Sequence, residues 1–254
     1  MNEDRDVRGY RERPSRYDGA VLWTRTVTDG DAAVPVLPDG CIDLIWTEGR
    51  LQIAGPDTGA YLPKVPVGTR FAGIRFFPGT APALLGVPAH ELRDRRIALA
   101  DLWSAAAARR LTEQVDAAAD RTAILESFAL HRAAELDPPD PLIRHIVTAL
   151  DAGATIAATA AAAGVNARLL HRRSLAAFGY SPKTLARVLR LQRALAMARA
   201  GVPLADTAAR AGFADQAHLS REVREFAGTT VRELLSRDAR TLAQVPVGQL
   251  LTGT

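Results

Sequence analysis

The spacing of hydrophobic positions changes part-way along the chain. Between residues 10 and 80, apolar residues fall in short runs rich in β-branched and aromatic side chains, at 21–28, 41–46, 51–54 and 71–77. Gly, Pro and Asp cluster between the runs, for example at Gly30 and Asp31, which is typical of turns between strands. This spacing favours a small β-sandwich or barrel in which 41–46 and 51–54 form a hairpin. Residues 1–20 are densely charged and are predicted to be a mobile arm or an irregular first strand.

After Pro78 the apolar positions follow a helical period. Two short helical turns are predicted near residues 82–85 and 88–92, and two longer helices over 99–119 and 122–136. Two interpretations of the longer pair stay open. The pair either buries a face between two subunits or covers the sheet of its own chain.

Residues 137–141 mark the sharpest boundary, because three prolines in five residues cannot continue a helix. The predicted fold class is therefore α+β, with two domains. The first, residues 1–136, is β-rich over 10–80 and helical over 81–136, and serves as a sensor or dimerisation domain. The second, residues 141–238, is all-α, and the residues after Arg240 are predicted to be a loose tail.

The second domain contains one pattern twice. Ala160, Gly164, Leu170 and Phe178 recur 48 or 49 positions later as Ala208, Gly212, Leu219 and Phe226. Ala followed four residues later by Gly closes a short helix, and a second helix begins two or three residues after the Gly. This arrangement is a helix-turn-helix, whose second helix enters the DNA major groove.

The two copies are joined by a predicted helix that begins at Ser181-Pro182 and ends near Ala200. Ser is a favoured N-cap, and Pro is favoured at the first helical position. About 18 residues at ~1.5 Å each span roughly 27 Å, near the ~34 Å between successive major-groove faces. One chain can therefore place two recognition helices on one side of a duplex.

Residues 178–182 and 208–221, together with the joining helix, resemble the double helix-turn-helix domain of AraC/XylS-type transcription regulators. The resemblance implies that base-facing residues lie on both recognition helices. They are Arg168, His171 and Arg172 on the first, and Gln216, Ala217, His218 and Arg221 on the second. It also implies that Arg190, Arg193 and Thr230 touch phosphate or solvent.

Three positions depart from the family pattern. Ser174 and Val223 stand where the family usually has Phe, and Val231 stands where Pro is usual. These are packing positions, so the departures bear on local stability more than on DNA binding. The stretch 37–46, with the Gly and Pro residues at 55–56 and 78–79, resembles the uncharacterised cupin-like N-terminal domain of some AraC-type regulators.

Charge is divided unevenly between the two predicted domains. Residues 141–254 hold 15 Lys and Arg against 7 Asp and Glu, whereas residues 1–140 hold 17 against 21. A basic domain attached to an acidic one suits nucleic-acid contact at one end. The chain has one cysteine, Cys41, which excludes a disulfide framework, and its N-terminus lacks an apolar signal core. We therefore expect a reducing, cytoplasmic location and no membrane association.

A candidate effector site lies in the first domain. Asp43 interrupts an apolar strand, and a buried carboxylate needs a partner, for which Arg75 is the candidate. One interpretation is a buried ion pair, and another is a ligand pocket lined by Asp43, Trp46 and Arg75. His90 is the only histidine before His131, so neither a metal site nor a cofactor is predicted. Cys41 is interpreted as a small core residue, with a redox sensor as the alternative.

These patterns predict a sequence-specific DNA-binding transcription regulator controlled by a small-molecule effector. The alternatives are a ligand-independent architectural DNA-binding protein and an enzyme that carries a DNA-binding module. No nucleophile–base arrangement, phosphate-binding glycine loop or metal-ligand spacing is present in residues 1–140, so a non-enzyme is expected. Double-stranded DNA is the predicted partner. The resemblance also admits RNA polymerase, a small-molecule effector and a second copy of the chain as partners.

Overall fold

The computed structural model describes residues 5–7, 9–28 and 35–241. The strands in this part of the chain form one antiparallel sheet in the order β1-β2-β3-β6-β4-β5-β7. They are β1 (Arg5–Val7), β2 (Tyr10–Pro14), β3 (Ala20–Thr26), β4 (Ile42–Thr47), β5 (Arg50–Ala54), β6 (Arg70–Phe76) and β7 (Arg96–Ala98). The helices that follow complete an α+β fold, which confirms the predicted class.

Most strand predictions are confirmed within a residue or two. The predicted hairpin is β4–β5, with Leu44 opposite Ile53. Residues 10–14 form a regular strand, β2, which pairs with β3 along its whole length. β7 was not predicted, because a three-residue strand between helices has no visible alternation. The turn predicted at Gly30 and Asp31, and the tail beyond residue 241, lie outside the described residues.

The two faces of the sheet have different compositions. Side chains alternate across a strand, so Leu44 and Ile74 enter the apolar core on one face, while Asp43 and Arg75 lie on the other. Gly73, in the middle of β6, lies opposite Trp23 of β3. A Cβ at Gly73 would meet the Trp23 ring at 2.4 Å. The glycine therefore makes room for an indole that lies flat over the strand.

Five helices cover the apolar face. They are α1 (Ala81–Leu85), α2 (Ala89–Leu92), α3 (Leu99–Leu102), α4 (Ala105–Ala117) and α5 (Arg121–Ala134). Leu111 and Val115 of α4 and Leu125 of α5 share one core with the strands. The structure therefore supports the second of the two interpretations, in which the apolar faces of these helices cover the sheet of their own chain.

The helix predicted over 99–119 is interrupted, so that prediction was wrong in its continuity. Trp103 leaves the helical conformation, with φ −117° and ψ 170°. Ser104 then starts a new helix by accepting a hydrogen bond from the Ala107 N–H at 3.3 Å. A Ser that can act as an N-cap competes locally with helix continuation.

The second half of the chain is helical. Its helices are α6 (Pro141–Asp151), α7 (Ile156–Ala162), α8 (Ala167–Phe178), α9 (Pro182–Arg199), α10 (Leu204–Ala211), α11 (Gln216–Ala227) and α12 (Val231–Thr241). They enclose two cores. Leu185 and Leu189 of α9 belong to the core of the first repeat, and Val188 and Leu195 belong to the core of the second. The joining helix is therefore shared by both. None of the described helices combines the length and apolar character needed to cross a membrane.

We predict that Gly73→Ala lowers the free energy of unfolding by ~1–3 kcal/mol, the usual cost of overpacking. The added methyl group would overlap the Trp23 ring, which cannot move without breaking its hydrogen bond to Asp43. Urea unfolding followed by tryptophan fluorescence measures the change. Gly59→Ala is the matched control, because a Cβ there meets nothing within 4 Å. Equal stability of the two variants would contradict the packing argument.

Candidate nucleic-acid interface and internal cavity

The second helix of each repeat begins and ends with strong local signals. Asn166 caps α8 by accepting from the Leu169 N–H at 2.8 Å, as its sequence position suggests. Asp215 caps α11 by accepting from the His218 N–H at 2.6 Å. Both helices end at a left-handed glycine, Gly179 with φ 74° and Gly228 with φ 66°. The two repeats are thus built by the same capping chemistry.

The predicted base-reading residues lie on the outer faces of these helices. Arg168, His171 and Arg172 are exposed on α8, and Gln216, Ala217 and Arg221 are exposed on α11. Leu170 and Leu219, on the opposite faces, are almost fully buried. Within the described residues, Arg168, Arg172 and Arg221 make no ion pair. Their guanidinium groups are therefore available to a ligand outside the protein.

His218 differs from the other residues of this set because it is half-buried. Its ring packs edge-on against Phe213 at 5.3 Å, and its Nδ1 accepts a hydrogen bond from the Ala214 N–H at 3.3 Å. One side of the imidazole therefore supports the turn before α11. Only the remaining side can face DNA.

Two of the residues predicted to touch phosphate or solvent have partners inside the protein. Arg190 donates to Glu222 at 3.1 Å, and its guanidinium lies 4.5 Å from the centre of the Phe213 ring. Arg193 binds the carbonyl and carboxylate of Asp151. Both side chains are still about a quarter exposed, so their contact with phosphate or solvent stays a prediction.

The contact of Arg190 belongs to a charged cluster that joins α9 to α11. Arg187 donates two hydrogen bonds to the nearly buried Glu222, at 3.0 and 3.1 Å. Burial alone would raise the pKa of Glu222, but the hydrogen bonds from the two arginines outweigh burial and lower it. The cluster holds the second recognition helix in a fixed orientation on α9.

A cavity of about 160 Å³ lies on the polar face of the sheet. Asp43 forms its floor: its carboxylate accepts from Trp23 Nε1 at 2.7 Å and from Arg75 Nε at 3.2 and 3.3 Å. At one wall, Arg96 binds both carboxylate oxygens of Asp57, at 2.8 and 2.6 Å. The ion pair predicted between Asp43 and Arg75 is present, and it lines the cavity.

Trp46, the third predicted lining residue, does not line the cavity. Asp43 and Trp46 are three positions apart in β4, so their side chains leave opposite faces of the sheet. The Trp46 ring is buried in the apolar core, and the guanidinium of Arg121 lies 4.0 Å from its centre. Strand periodicity should have excluded this residue from the predicted set.

Sequence reasoning missed several wall residues. Tyr10, Trp23, Asp57 and Arg96 all face the cavity. Alternation along β3 could have indicated Trp23, since Leu22 lies on the core face. Asp57 and Arg96 lie in separate segments, which the pairing of β5 with β7 and the backbone hydrogen bonds beside it bring together.

Cys41 is buried, and burial raises the pKa of its thiol well above the usual value. A thiol held in its protonated form is a poor nucleophile. The environment therefore favours the interpretation of Cys41 as a packing residue.

Comparison with known proteins assigns both parts of the chain. Residues 159–237 match a helix-turn-helix domain family (HTH_18), and residues 20–98 match a domain of unknown function (DUF6597). The chain carries an AraC-type helix-turn-helix domain. It is thus a DNA-binding transcription regulator, and the AraC-type domain contains both recognition helices described above.

Solved structures of ToxT from Vibrio cholerae are also similar. An apo form of a ToxT variant is 12% identical, with a TM-score of 0.46, and the match covers 88% of this chain and 99% of that one. A ToxT structure with a bound unsaturated fatty acid is 11% identical, with a TM-score of 0.43, and covers 88% and 96%. No curated protein sequence matches the chain significantly.

We predict that Arg172→Ala and Arg221→Ala each weaken binding of the full chain to its operator by ~1–3 kcal/mol. Each change removes a guanidinium that is expected to read a guanine edge bidentately, so preference should relax at one base pair. Binding selection from random DNA, followed by affinity measurements, reports both effects. Arg109→Ala, an exposed change on α4, is the control. Wild-type affinity and preference in both variants would show that the groove assignment is wrong.

We also expect Asp39, in the cavity wall, to make stability depend on pH. Burial raises the pKa of this carboxyl, partly offset by Arg75 and the Cys41 N–H, while Asp43 and Asp57 add to the rise. A raised pKa favours folding at low pH, and this contribution is lost as pH rises through the folded-state pKa. The stability of Asp39→Asn relative to wild type should therefore increase with pH across the acidic range. Chemical denaturation of both proteins at several pH values provides the measurement, and a constant difference would contradict it.

Proposed function

We propose that this regulator is controlled by a small organic molecule bound in the N-terminal cavity. Its recognition helices α8 and α11 read operator DNA through Arg168, His171, Arg172, Gln216, Ala217, His218 and Arg221. One observation carries the proposal of control: the segments that form the cavity wall also contact the DNA-binding domain, including the end of the second recognition helix. A change at the wall is therefore a change at that contact.

The first shared segment is residues 35–41. Leu37 lines the cavity and also belongs to the core of the second repeat. The carbonyl of the adjacent Pro38 accepts a buried hydrogen bond from Gln192 of α9 at 2.6 Å. Cys41 lines the cavity from the other end of the segment and packs in the core that contains Leu185 of α9.

The second shared segment is residues 55–65. Asp57 faces the cavity, while its carbonyl accepts a hydrogen bond from the Tyr180 hydroxyl at 2.5 Å. Beside the cavity residue Tyr61, the Ala60 N–H donates to the carbonyl of Phe226 at 2.7 Å. Phe226 lies in the last turn of α11, so this segment holds the end of the second recognition helix.

The first helix-turn-helix is attached differently. Arg93 donates to the Gly179 carbonyl at 3.1 Å, and Nδ1 of His90 lies 3.3 Å from the Leu175 carbonyl. His90 lies in α2 and Arg93 directly follows it, and neither lines the cavity. The first repeat therefore has attachments that are independent of the cavity, in addition to its contacts with Cys41 and Asp57.

Control requires that the ligand bind one arrangement of these contacts more tightly than another, because equal affinity shifts no equilibrium.

The proposal keeps the domain limits 1–136 and 141–238, with the Pro-rich residues 137–141 as the joint between them. Asp43 and Arg75 remain candidate effector residues, and Trp46 is left out. A homodimer and contact with RNA polymerase stay predictions. A ligand-independent architectural protein remains the alternative.

The proposal predicts that filling the cavity changes the dynamics of α11. Ala54 faces the cavity, so Ala54→Leu places extra methyl groups there as a surrogate for a ligand. Hydrogen–deuterium exchange in the full chain should change several-fold at residues 36–41, 57–61 and 216–227. Exchange at 167–178 should change less, because Arg93 and His90 also attach the first repeat outside the cavity.

Two matched variants test whether the effect of Ala54→Leu reaches α11 through the hydrogen bond between Gln192 and Pro38. Gln192→Met removes the bond to Pro38 at nearly constant volume, and it should reduce the effect of Ala54→Leu on α11. Arg93→Met removes the corresponding bond to the first repeat, and it should leave that effect intact. If the wall segments respond to Ala54→Leu while α11 does not, the cavity does not control the DNA-binding domain.

A further inference from the structure

The cavity wall is charge-balanced, which limits the ligands that it can hold. Among the described wall residues, Asp39, Asp43 and Asp57 are matched by three arginines, Arg25, Arg75 and Arg96. Two of these pairs are closed by direct hydrogen bonds, Asp43 with Arg75 and Asp57 with Arg96. A ligand with a net charge would lose its hydration without finding an uncompensated opposite charge. A neutral ligand avoids this loss.

The same wall still has polar groups that need a partner. Arg75 uses only its Nε in hydrogen bonds to the described residues, so the N–H groups of Nη1 and Nη2 remain unused. Asp39 accepts from the Cys41 N–H through Oδ1, while its Oδ2 lies 4.0 Å from Arg75 Nε. Buried polar groups are rarely left unpaired. A donor and an acceptor therefore stand side by side, ready for a ligand that offers the complementary pair.

The remaining wall is flat and aromatic. The Tyr10 and Trp23 rings are stacked, with centroids 6.0 Å apart and planes inclined by 24°. On the other side, Arg96 lies over the Tyr61 ring at 4.0 Å. A dry cavity of roughly 150 Å³ is known to accept benzene, and this cavity is about 160 Å³. Its size and walls fit one planar ring.

We propose that the cavity binds a neutral, planar molecule of about one ring that carries an amide-like pair, a carbonyl acceptor next to an N–H donor. The carbonyl accepts from the free N–H groups of Arg75, and the N–H donates to Asp39 Oδ2. The ring lies against Tyr10 and Trp23. This inference rests on the proposed effector role of the cavity and names the chemical class of its ligand.

Three isosteric probes test the charge and hydrogen-bond pattern. Benzamide is neutral and offers both an acceptor and a donor. Benzoate has the same shape with a negative charge and no donor, and benzamidinium has the same shape with a positive charge and no acceptor. Titrations of the full chain at neutral pH, followed by calorimetry and by ligand-observed NMR, should give benzamide at least tenfold tighter binding than either ion.

Two variants shift the charge of the wall in opposite directions. Asp39→Asn removes a negative charge at constant shape, and it should move the preference at least fivefold toward benzoate. Arg75→Met removes a positive charge and should move the preference toward benzamidinium. If Arg75→Met does not fold, Asp39→Asn still decides the question. Ala54→Leu should block all three probes, and Arg121→Met, on the opposite face of the sheet, should leave binding unchanged.

The proposal is overturned if either ion binds the wild-type protein as tightly as benzamide, or if benzamide shows no binding at millimolar concentration. It is also overturned if Asp39→Asn leaves the order of the probes unchanged. None of these outcomes affects the exchange experiment with Ala54→Leu, which uses no ligand. Failure of the ligand class is therefore distinguishable from failure of effector control.

Discussion

A buried carboxylate, that of Asp43, organises the polar face of the sheet. A carboxylate removed from water must be hydrogen-bonded or paired, and Asp43 satisfies this requirement through Trp23 on β3 and Arg75 on the central strand β6. Gly73 leaves the space in which the Trp23 indole can reach it. Removing one partner of a buried ion pair lowers stability strongly, whereas replacing both partners by well-packed apolar side chains often leaves the protein as stable as before. Stability alone therefore does not explain the ion pair, whereas the proposed binding of an effector in the cavity gives it a role.

The shared helix α9 explains how two small helix-turn-helix units behave as one domain. Each core alone buries few side chains, and small cores are only marginally stable. Alternate faces of α9 contribute Leu185 and Leu189 to one core and Val188 and Leu195 to the other. On the same helix, Arg187 and Arg190 hold Glu222 and fix α11. Disturbing α9 therefore changes the orientation of a recognition helix as well as local packing.

Periodicity and turn chemistry were enough to predict the helices, most strands and the outward face of each recognition helix, because these depend on local sequence. Contacts between residues far apart in the sequence could not be predicted in this way. Arg190 and Arg193 looked like surface cations, and only the packing of α9 between two cores shows their internal partners. The placement of Trp46 was a different error, since strand alternation alone separates it from Asp43. The cavity wall could not be predicted as a set, because Asp57 and Arg96 meet through long-range contacts, the pairing of β5 with β7 and the backbone hydrogen bonds beside it.

The two attachments of the DNA-binding domain differ in a way that matters for regulation. Gly179, at the end of the first recognition helix, fits so closely against Pro56 and Ala89 that a Cβ there would lie 2.8 Å from the Pro56 ring and 3.0 Å from the Ala89 carbonyl. Such close packing resists small displacements. The carbonyl of Phe226, at the end of the second recognition helix, accepts a backbone hydrogen bond from Ala60, in a segment where Leu62 is exposed. Local opening is easier where few apolar contacts are buried. Under the proposed control by an effector, the attachment at Ala60 is therefore expected to change more than the attachment at Gly179.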